Sequence, residues 1–525
     1  MKTVLFGATL TTLALLYGIL AIIVIIVFSL LEIPIIYALL GSITILIIQF
    51  LLSPPTTDFV MKWLYKAEFG KEIPEYLKKF IEESCKKHNM KYPKIAVIDD
   101  GAPNAFTYGM GKNSARIVIT RGLYELLTEE EVKAVVAHEL GHATHYDMAI
   151  ITVAQVVPFV LHAVYEMTKK NNSNDSSADK VGYIALVFYV ISEYLILWLS
   201  RSREYYADSF AIEETKNPTA LAEALVKIGF GLSINSTGKV KSNALGIFDV
   251  KASKSLAITA YNENGGVSKE KIKNAMKWEK WNPWAKIYEF GSTHPLISKR
   301  ILKISERCKE FNQEKYIDFD IKKPESYADD FIKEIAICIF PALTLIIAII
   351  VALLYSIKVT FLIGIDISLI IGVALIVIAI TSYLKLRYTH KNKNYKETTV
   401  SDLLSEVKVS QITSIPCSLT GNVIGRGNPG YIFNEDFVLK DKTGIIFLDY
   451  NQPLFVIEKI FALFKSPEYF NKEIKIKGWY RRNPVPYIEL YELVIDGKVK
   501  KCHTYTFVKV MYALLFIAGI VLIII

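Results

Sequence analysis

The segment "VVAHELGHATHYD", residues 135–147, places His138 and His142 four residues apart, with Glu139 directly after the first histidine. In a helix, residues four apart lie on one face about one turn apart, so both imidazoles can reach one metal ion. In such an HExxH arrangement two neutral imidazoles bind Zn²⁺, water takes the open position, and the glutamate accepts a proton from that water as it attacks a carbonyl. The segment therefore predicts metal-assisted hydrolysis, with one Zn²⁺ per chain as cofactor.

A catalytic zinc ion needs a third protein ligand, and the best candidate lies in "LSRSREYYADSF", residues 199–210. Glu204 falls on a predicted helix, and Asp208, one turn later, could accept the spare N–H of a ligating histidine and so fix its ring and tautomer. The alternative is a solvated helical face, in which Arg201 and Arg203 pair with these carboxylates.

The HExxH segment must be held in a helix for both histidines to face one ion. Thr128 followed by Glu131 is a capping-box signature, and Val132, Val135 and Val136 recur at helical spacing. Upstream, "EYLKKFIEESCKKHNM" predicts a helix, and the β-branched segments "PKIAVIDD" and "ARIVIT" predict strands. These elements predict a small soluble domain between about 54 and 148 that leads into the metal-binding helix.

The composition indicates an integral membrane protein, since 52% of the 525 residues are hydrophobic and the mean hydropathy is +0.30. A spanning helix takes roughly 20 apolar residues, and five runs qualify: 4–29, 34–53, 335–356, 361–384 and 508–525. Two further apolar helices, 148–167 and 181–200, either span the bilayer or pack on the catalytic domain. The net charge of +9 is explained by lysines and arginines that flank the spans, without a polyanionic partner.

The lysines beside the first two spans predict the topology. The connection around Glu32 has no basic residue, whereas lysines precede the first span and follow the second: Lys2, Lys62, Lys66 and Lys71. By the positive-inside rule, the N-terminus and the chain after Pro54 lie in the cytoplasm. We therefore expect a multi-pass protein of the cell membrane whose metal site faces the cytoplasm. Its five scattered cysteines indicate reduced or buried thiols.

Residues 398–505 have a different sequence pattern from the helical segments before them. Short predicted strands alternate with Gly, Pro and Asn turns, and one apolar helical stretch, "LFVIEKIFALF", interrupts them. The order of these segments resembles an OB-fold barrel. The predicted fold class is thus a mostly α multi-pass membrane protein with a helical HExxH zinc-protease domain and a C-terminal β-rich, OB-like domain. The predicted parts are a transmembrane hairpin (1–53), the metalloprotease domain with its two apolar helices (54–332), a second hairpin (333–385), the barrel (398–505) and a final span (508–525).

Together, the HExxH motif, the following pair of apolar helices and "SRSREYYAD" (200–208) resemble the HtpX-like integral-membrane zinc metalloproteases, relatives of the CAAX prenyl proteases. "PNAFTYG" (103–109), Asp147 and "STHPLISKRI" (292–301) agree with that family as well. The resemblance covers about residues 1–305. It implies that Glu204 is the third zinc ligand, that Asp208 and Asp147 support the ligand histidines, and that the substrates are damaged or misfolded membrane proteins or segments near the bilayer.

Two further groups are candidate substrate contacts. Asn104, Ala105 and Phe106 begin a segment that could be an edge strand whose backbone pairs with an extended substrate, although an ordinary strand and turn would explain it equally well. His294 could stabilise an oxyanion or cap the following helix, and the structural role is slightly favoured.

Other functions remain open at this point. The enzyme could process defined, for example prenylated, substrates. The chain could instead be an inactive membrane scaffold whose OB-like domain binds protein or single-stranded nucleic acid, which would require exposed aromatic residues in a basic groove. The candidates for that groove are Trp479, Tyr480, Arg481 and Arg482. Tyrosines and tryptophans in a barrel usually pack its core, so nucleic acid is disfavoured as a partner. Polypeptides and the lipid bilayer are the expected partners, and a homo-oligomer is compatible with the sequence.

Trp278, Trp281 and Trp284 form a further cluster. They fit either a belt at the membrane interface or core packing.

Overall fold

The computed structural model describes residues 15, 16, 19, 35–99, 104–170, 176–229, 269–356 except 321 and 324, 366–427 except 392 and 393, and 434–525 except 471 and 484. Most of the predicted first span, 4–29, lies outside the described residues. Over the described part the fold is mostly helical, with a β-rich unit near the C-terminus, as predicted.

The elements up to the second hairpin are the following. The helices are α1 (Ile35–Leu64), α2 (Glu75–Lys87), α3 (Arg121–Leu126), α4 (Glu129–Thr144), α5 (Asp147–Lys170), α6 (Ser176–Thr215), α7 (Pro218–Gly229), α8 (Lys269–Trp281), α9 (Pro283–Phe290), α10 (Ile297–Arg307), α11 (Ala328–Ser356) and α12 (Ile367–Thr389). The strands are β1 (Glu68–Phe69), β2 (Lys94–Ile98), β3 (Ala105–Tyr108) and β4 (Arg116–Thr120).

The first four strands form a sheet in the order β1-β2-β4-β3, in which β2 and β4 are parallel and β3 runs antiparallel to β4. Helices α2 and α4 pack on this sheet through a buried apolar cluster that includes Leu77, Ile117, Val136 and Leu140. The capping box predicted for α4 is confirmed, because Thr128 accepts a hydrogen bond from the Glu131 amide and the Glu131 carboxylate accepts one from the Thr128 amide. The HExxH segment therefore lies in the well-anchored C-terminal half of a helix.

Five helices among the described residues are long and apolar enough to cross a membrane: Asp147–Glu166, Lys180–Thr215, Ala328–Tyr355, Ile367–Thr389 and Thr504–Ile524. The first two correspond to the apolar helices 148–167 and 181–200. They pack against each other through a buried cluster that includes Ala154, Val157, Ala185 and Leu199. Of the predicted span 34–53, residues 35–53 lie in α1, and residue 34 is outside the described residues. The span predicted at 361–384 is shifted, since α12 begins at Ile367 and Asp366 caps it by accepting a hydrogen bond from the Ser368 amide.

The β-rich unit near the C-terminus is a closed barrel. It contains β5 (Lys396–Glu397), α13 (Val400–Leu404), β6 (Ile415–Arg426), β7 (Phe437–Lys440), β8 (Ile445–Asp449), α14 (Phe455–Phe464), β9 (Glu473–Asn483), β10 (Val485–Ile495) and β11 (Lys498–Lys501), and α15 (Thr504–Ile524) follows it. The strands close in the order β6-β7-β8-β10-β9 and back to β6. Only the β8–β10 pairing in this ring is parallel, and α14 connects β8 to β9.

The barrel packs directly on the helices that precede it. Trp278 is fully buried, donates a hydrogen bond of 2.6 Å to the Val409 carbonyl, and lies 4.6 Å from the Arg482 guanidinium. Of the two interpretations of the tryptophan cluster, core packing is therefore correct for Trp278 and Trp281, which are both buried. The groove considered for single-stranded nucleic acid, which the sequence disfavoured, is not exposed, because all four of its candidate residues are buried: Trp479, Tyr480, Arg481 and Arg482.

Candidate metal centre

Helices α4 and α6 touch at Gly141, which lies between the two histidines of the motif. A Cβ atom at this position would lie only 3.2 Å from the Cα of Ala207 and 3.1 Å from the Cβ of Phe210. Real Cβ atoms rarely make contacts this tight, so the glycine lets the backbones approach closely. This approach turns the buried side chains of Glu204 and Asp208 towards the histidines of α4.

Three potential ligands converge at this contact. The Nε2 atoms of His138 and His142 lie 3.2 Å apart. Glu204 faces both, with Oε2 at 3.6 Å from His138 Nε2 and Oε1 at 3.5 Å from His142 Nε2. One donor atom from each residue can be chosen so that all lie within 4.8 Å of one another. The structure thus brings together the three residues that were predicted from the sequence as ligands.

Each histidine has a carboxylate on its far side. His138 Nδ1 lies 3.1 Å from Asp208 Oδ1, and His142 Nδ1 lies 2.7 Å from Asp147 Oδ2. A carboxylate in this place holds the ring proton on Nδ1, which leaves the Nε2 lone pairs of both rings facing each other and Glu204. Two ring nitrogens and a carboxylate that face one another in this way are the donor set of a catalytic zinc site, so the residues present fit a zinc ion.

The charge around His142 points the same way. Burial alone would lower the pKa of His142, but its hydrogen bond with Asp147 and the charge of Glu204 raise it to about 9. The surrounding carboxylates therefore favour a positive charge at the imidazoles. A divalent cation would supply that charge and displace the proton from the ligand nitrogen.

Two buried arginines complete the cluster. Arg203 donates a hydrogen bond to Asp147 and another, of 2.9 Å, to the His145 carbonyl. Arg300 lies 2.9 Å from Glu204 Oε2 and donates hydrogen bonds of 2.9 and 2.6 Å to Asp208. The solvated-face alternative for this segment is wrong, because Arg203, Glu204 and Asp208 are all buried.

Sequence reasoning missed Arg300. Although burial opposes its charge, Asp208 and Glu204 raise the pKa of this guanidinium, so it stays positive. The available signal was its position in α10, where it recurs on the same helical face as the buried Ile301 and Ile304 and is therefore placed inside a strongly amphipathic helix.

Glu139, the candidate proton acceptor, is buried next to strand β3. The Thr107 hydroxyl of β3 donates a hydrogen bond of 3.3 Å to the backbone carbonyl of Glu139, and β3 is one of the two edge strands of its sheet in the part of the chain that the structure describes. Ala105 and Phe106 lie in this strand and are partly buried. Asn104 precedes the strand, and its backbone N–H donates a hydrogen bond of 2.7 Å to Thr120 Oγ1. The predicted edge strand therefore runs beside the metal-binding helix.

His294 lies in the loop between α9 and α10, with Nδ1 at 3.0 Å from Glu204 Oε1 and its side chain 47% exposed. The capping alternative is wrong, since the amides at the start of α10 are bonded by two other side chains: Glu279 accepts from the Ser298 amide at 2.8 Å and Glu289 from the Leu296 amide at 3.2 Å. Arg201 holds the loop by donating from Nη1 to the carbonyls of Glu289, Phe290 and Ser292 at 2.8, 3.1 and 2.6 Å. His294 is thus part of the cluster and is presented to it by a fixed loop.

A His-His-Glu donor set with two buried members and one partly buried member, beside long apolar helices, fits a membrane-associated metallopeptidase, and comparison with known proteins supports this class. The profile of Peptidase family M48 matches residues 73–308. The "Protease HtpX homolog" of Methanothermobacter thermautotrophicus is 35% identical over 227 residues, which are 43% of this chain and 86% of that protein. The protein of the same name from Aquifex aeolicus is 30% identical over 272 residues, 49% of this chain and 80% of that protein.

This chain belongs to peptidase family M48, which confirms the resemblance stated from the motifs. Members of the family are generally zinc-dependent. Among solved structures, the crystal structure of S. mikatae Ste24p matches at 22% identity and a TM-score of 0.30, covering 42% of this chain and 57% of that one. The relatives and the five apolar helices together indicate a multi-pass membrane protein.

Proposed function

We propose that this protein is a membrane-embedded zinc endopeptidase. Zinc would be held by His138, His142 and Glu204, with Glu139 as general base. The observation that carries the proposal is the pair of Nε2 atoms 3.2 Å apart with a buried carboxylate within 3.6 Å of both. When bound, zinc supplies a Lewis acid that polarises a carbonyl and lowers the pKa of water.

The chain's own residues supply the remaining steps of hydrolysis. The Glu139 carboxylate accepts a proton from the attacking water and delivers it to the amine that leaves. The carboxylates of Asp147 and Asp208 accept the Nδ1 protons of His142 and His138, so both rings keep one orientation throughout. His294, beside Glu204 and half-exposed, can donate from its imidazole to the oxygen on which negative charge develops.

The edge strand offers a way to bind the substrate. An extended polypeptide that pairs with the backbone of β3 would run past Glu139, because β3 contacts α4 at that residue. Pairing of this kind selects for an unfolded or extended segment rather than for one side chain. It supports substrates that have lost their structure, such as damaged or misfolded proteins.

The apolar helices support a substrate at or near the bilayer. Helix α6 runs without interruption from the apolar segment starting at Lys180 to Glu204, so the metal centre lies at the end of a candidate span. The lysines after the first two spans support the cytoplasmic side of the cell membrane. We also propose the five-part domain division given above.

We also propose that the barrel is an OB fold, and its strand order supports this. Five strands close into a ring in the order first, second, third, fifth and fourth, and a helix joins the third strand to the fourth. A nucleic-acid-binding scaffold gains no support from it, because the aromatic and basic residues considered for that role are buried.

The proposal is tested by zinc content and casein cleavage of the detergent-purified protein. Wild type is expected to hold about one zinc per chain and to cleave, Glu139→Gln to keep zinc without cleaving, and Glu204→Ala to lose zinc. Glu213→Ala removes an exposed carboxylate from the same helix as Glu204 and should behave as wild type. If wild type takes up no zinc when supplied with it, or if Glu139→Gln cleaves normally, the proposal is wrong.

A further inference from the structure

Helix α14, between the third and fourth strands of the barrel, is apolar on two opposite faces. One face packs into the barrel through Phe461 and Ala462, which are buried. The other face is exposed, and residues at four-residue spacing form a stripe along it: Val456 (65% exposed), Ile460 (53%) and Phe464 (72%), flanked by Ile457 (49%). A surface helix normally turns a polar face outward, so this one needs a second apolar environment.

The N-terminal end of α14 lies where the chain enters its last candidate span. Two residues before Leu454, the Gln452 side chain accepts a hydrogen bond of 3.4 Å from the His503 amide and donates one of 3.3 Å to the Lys501 carbonyl. Helix α15 starts at the next residue, Thr504. The start of α14 is therefore held beside the start of a membrane helix.

The segment after α14 is tied to the same place. Tyr469, five residues beyond the helix, contacts Lys500, whose ammonium lies 4.6 Å from the centre of its ring. Lys500 lies in β11, the short strand that leads directly into α15. Both flanks of α14 thus contact the four residues that precede the span.

A second span reaches the barrel at this side. His390, which follows α12, lies 2.9 Å from Glu489 of β10, and its ring centre is 5.0 Å from that of Tyr505 in α15. Further along, α12 and α15 cross at Gly372 and Gly519, where a Cβ on either glycine would lie 2.7 Å from the carbonyl oxygen of the other. The two helices form an antiparallel pair. The barrel is attached at the end of this pair that contains the C-terminus of α12 and the N-terminus of α15.

The charges beside the stripe match a lipid surface. Lys465 at the end of α14 and Lys498 and Lys501 in β11 are exposed, and Val499 between them is 55% exposed. Lysines that flank an apolar helical face are typical of helices that lie in the interface of a bilayer with anionic lipids.

We infer that α14 is an interfacial membrane helix. Its stripe of Val456, Ile457, Ile460 and Phe464 inserts into the headgroup region of the bilayer that α12 and α15 cross. The occupant of this surface is phospholipid. Trp278 and Arg482 join the barrel to α8, and Glu279 of α8 bonds the Ser298 amide of α10, the helix that carries Arg300. The contact therefore also links the metal centre to the membrane surface. The inference does not depend on zinc or on proteolysis.

The test uses nitroxide spin labels on the full chain in vesicles of phosphatidylcholine and phosphatidylglycerol. Single cysteines replace Val456, Ile460 or Phe464 in a Cys338→Ser background, since the other four native cysteines are buried. Collision rates with oxygen, which concentrates in lipid, are compared with those of a water-soluble nickel chelate. The matched control is Lys442→Cys, exposed in the turn at the opposite end of β8 from Gln452.

We expect oxygen accessibility to exceed nickel accessibility at all three stripe positions and the reverse at Lys442. Nickel accessibility equal to that of the control would place the stripe in water and overturn the inference. Low accessibility to both reagents would show that protein, such as a second copy of the chain, covers the stripe, and would overturn it as well. Thermal unfolding unchanged by the exposed substitutions verifies that the barrel is intact.

Discussion

The Nη1 atom of Arg300 lies 2.9 Å from Oε2 of Glu204, so the proposed third metal ligand has a buried cation as its neighbour. The same guanidinium binds Asp208, the residue beside His138. One arginine therefore balances two carboxylates that would otherwise be buried together. It also fixes the face that Glu204 turns towards the histidines.

Replacing Arg300 with Met should destabilise the metal-free protein by about 3–5 kcal/mol, because it leaves two buried carboxylates without their partner. Zinc would restore part of the missing positive charge, so the loss should be smaller in the zinc-loaded protein. Thermal unfolding with chelator and with added zinc measures both values. Arg300→Lys, which keeps the charge without the two-pronged geometry, should be intermediate. An equal loss with and without zinc would contradict the charge-balance role.

Asp147→Asn should weaken zinc binding by roughly 10- to 100-fold, since it removes the carboxylate that holds the His142 ring. Zinc affinity can be measured by competition with a chromophoric chelator. Asp58→Asn is the matched control, because it breaks the Asp58–Arg116 ion pair of 3.0 Å away from the metal centre and should leave the affinity unchanged. If both variants lose affinity equally, the effect is one of general stability.

The ligands could be predicted from sequence because HExxH and ExxxD are local patterns, each carried by a single helix. The distance between those helices could not, since it depends on the contact of Gly141 with Phe210 across the fold. Arg300, the last residue of "STHPLISKR", could not be predicted for the same reason, because it meets Glu204 and Asp208 only when α10 packs on α6. The strands of the barrel could be predicted from the turn residues between them. The contact that buries Arg482 against Trp278 of α8 could not, because those residues are far apart in the sequence.

Gly141 gives a test of that helix contact. At an exposed helical position, Gly→Ala would stabilise by about 1 kcal/mol. Here a Cβ would lie 3.1–3.2 Å from α6, so we expect Gly141→Ala to yield no gain and Gly141→Leu to cost about 1–3 kcal/mol. Gly141→Leu should also lose zinc while all three ligands remain, because Glu204 moves away with α6. Zinc content and thermal unfolding of the two variants measure these effects, and normal zinc content in Gly141→Leu would contradict them.

Arg201→Ala should lower kcat by up to about 100-fold without loss of zinc. Arg201 holds carbonyls at the end of α9 and in the loop that presents His294, and misplacement of a catalytic group by about 1 Å has effects of this size. Casein cleavage and zinc content are measured together. Lys303→Ala is the control. It removes an exposed cation of α10 whose Nζ lies 3.5 Å from the ring centre of Tyr205, a residue of α6 like Arg201. Normal cleavage by Arg201→Ala would show that the loop keeps its position without it.

The attachment of the barrel to α12 should depend on pH through Glu489. Burial alone would raise the pKa of Glu489, but its hydrogen bond with His390 and the charge of Arg481 hold it at about 2. A carboxyl with a depressed folded pKa stabilises the fold above its unfolded pKa, near 4.5, and this stabilisation disappears as the pH falls towards 2.

Glu489→Gln should therefore lower the melting temperature most at pH 5 and above, and the difference from wild type should shrink steadily below about pH 4.5. Glu397→Gln, which removes an exposed carboxylate paired with Lys475, should show little difference at any pH. A Glu489→Gln effect that stays constant down to pH 3 would mean that the pair contributes through packing and not through charge.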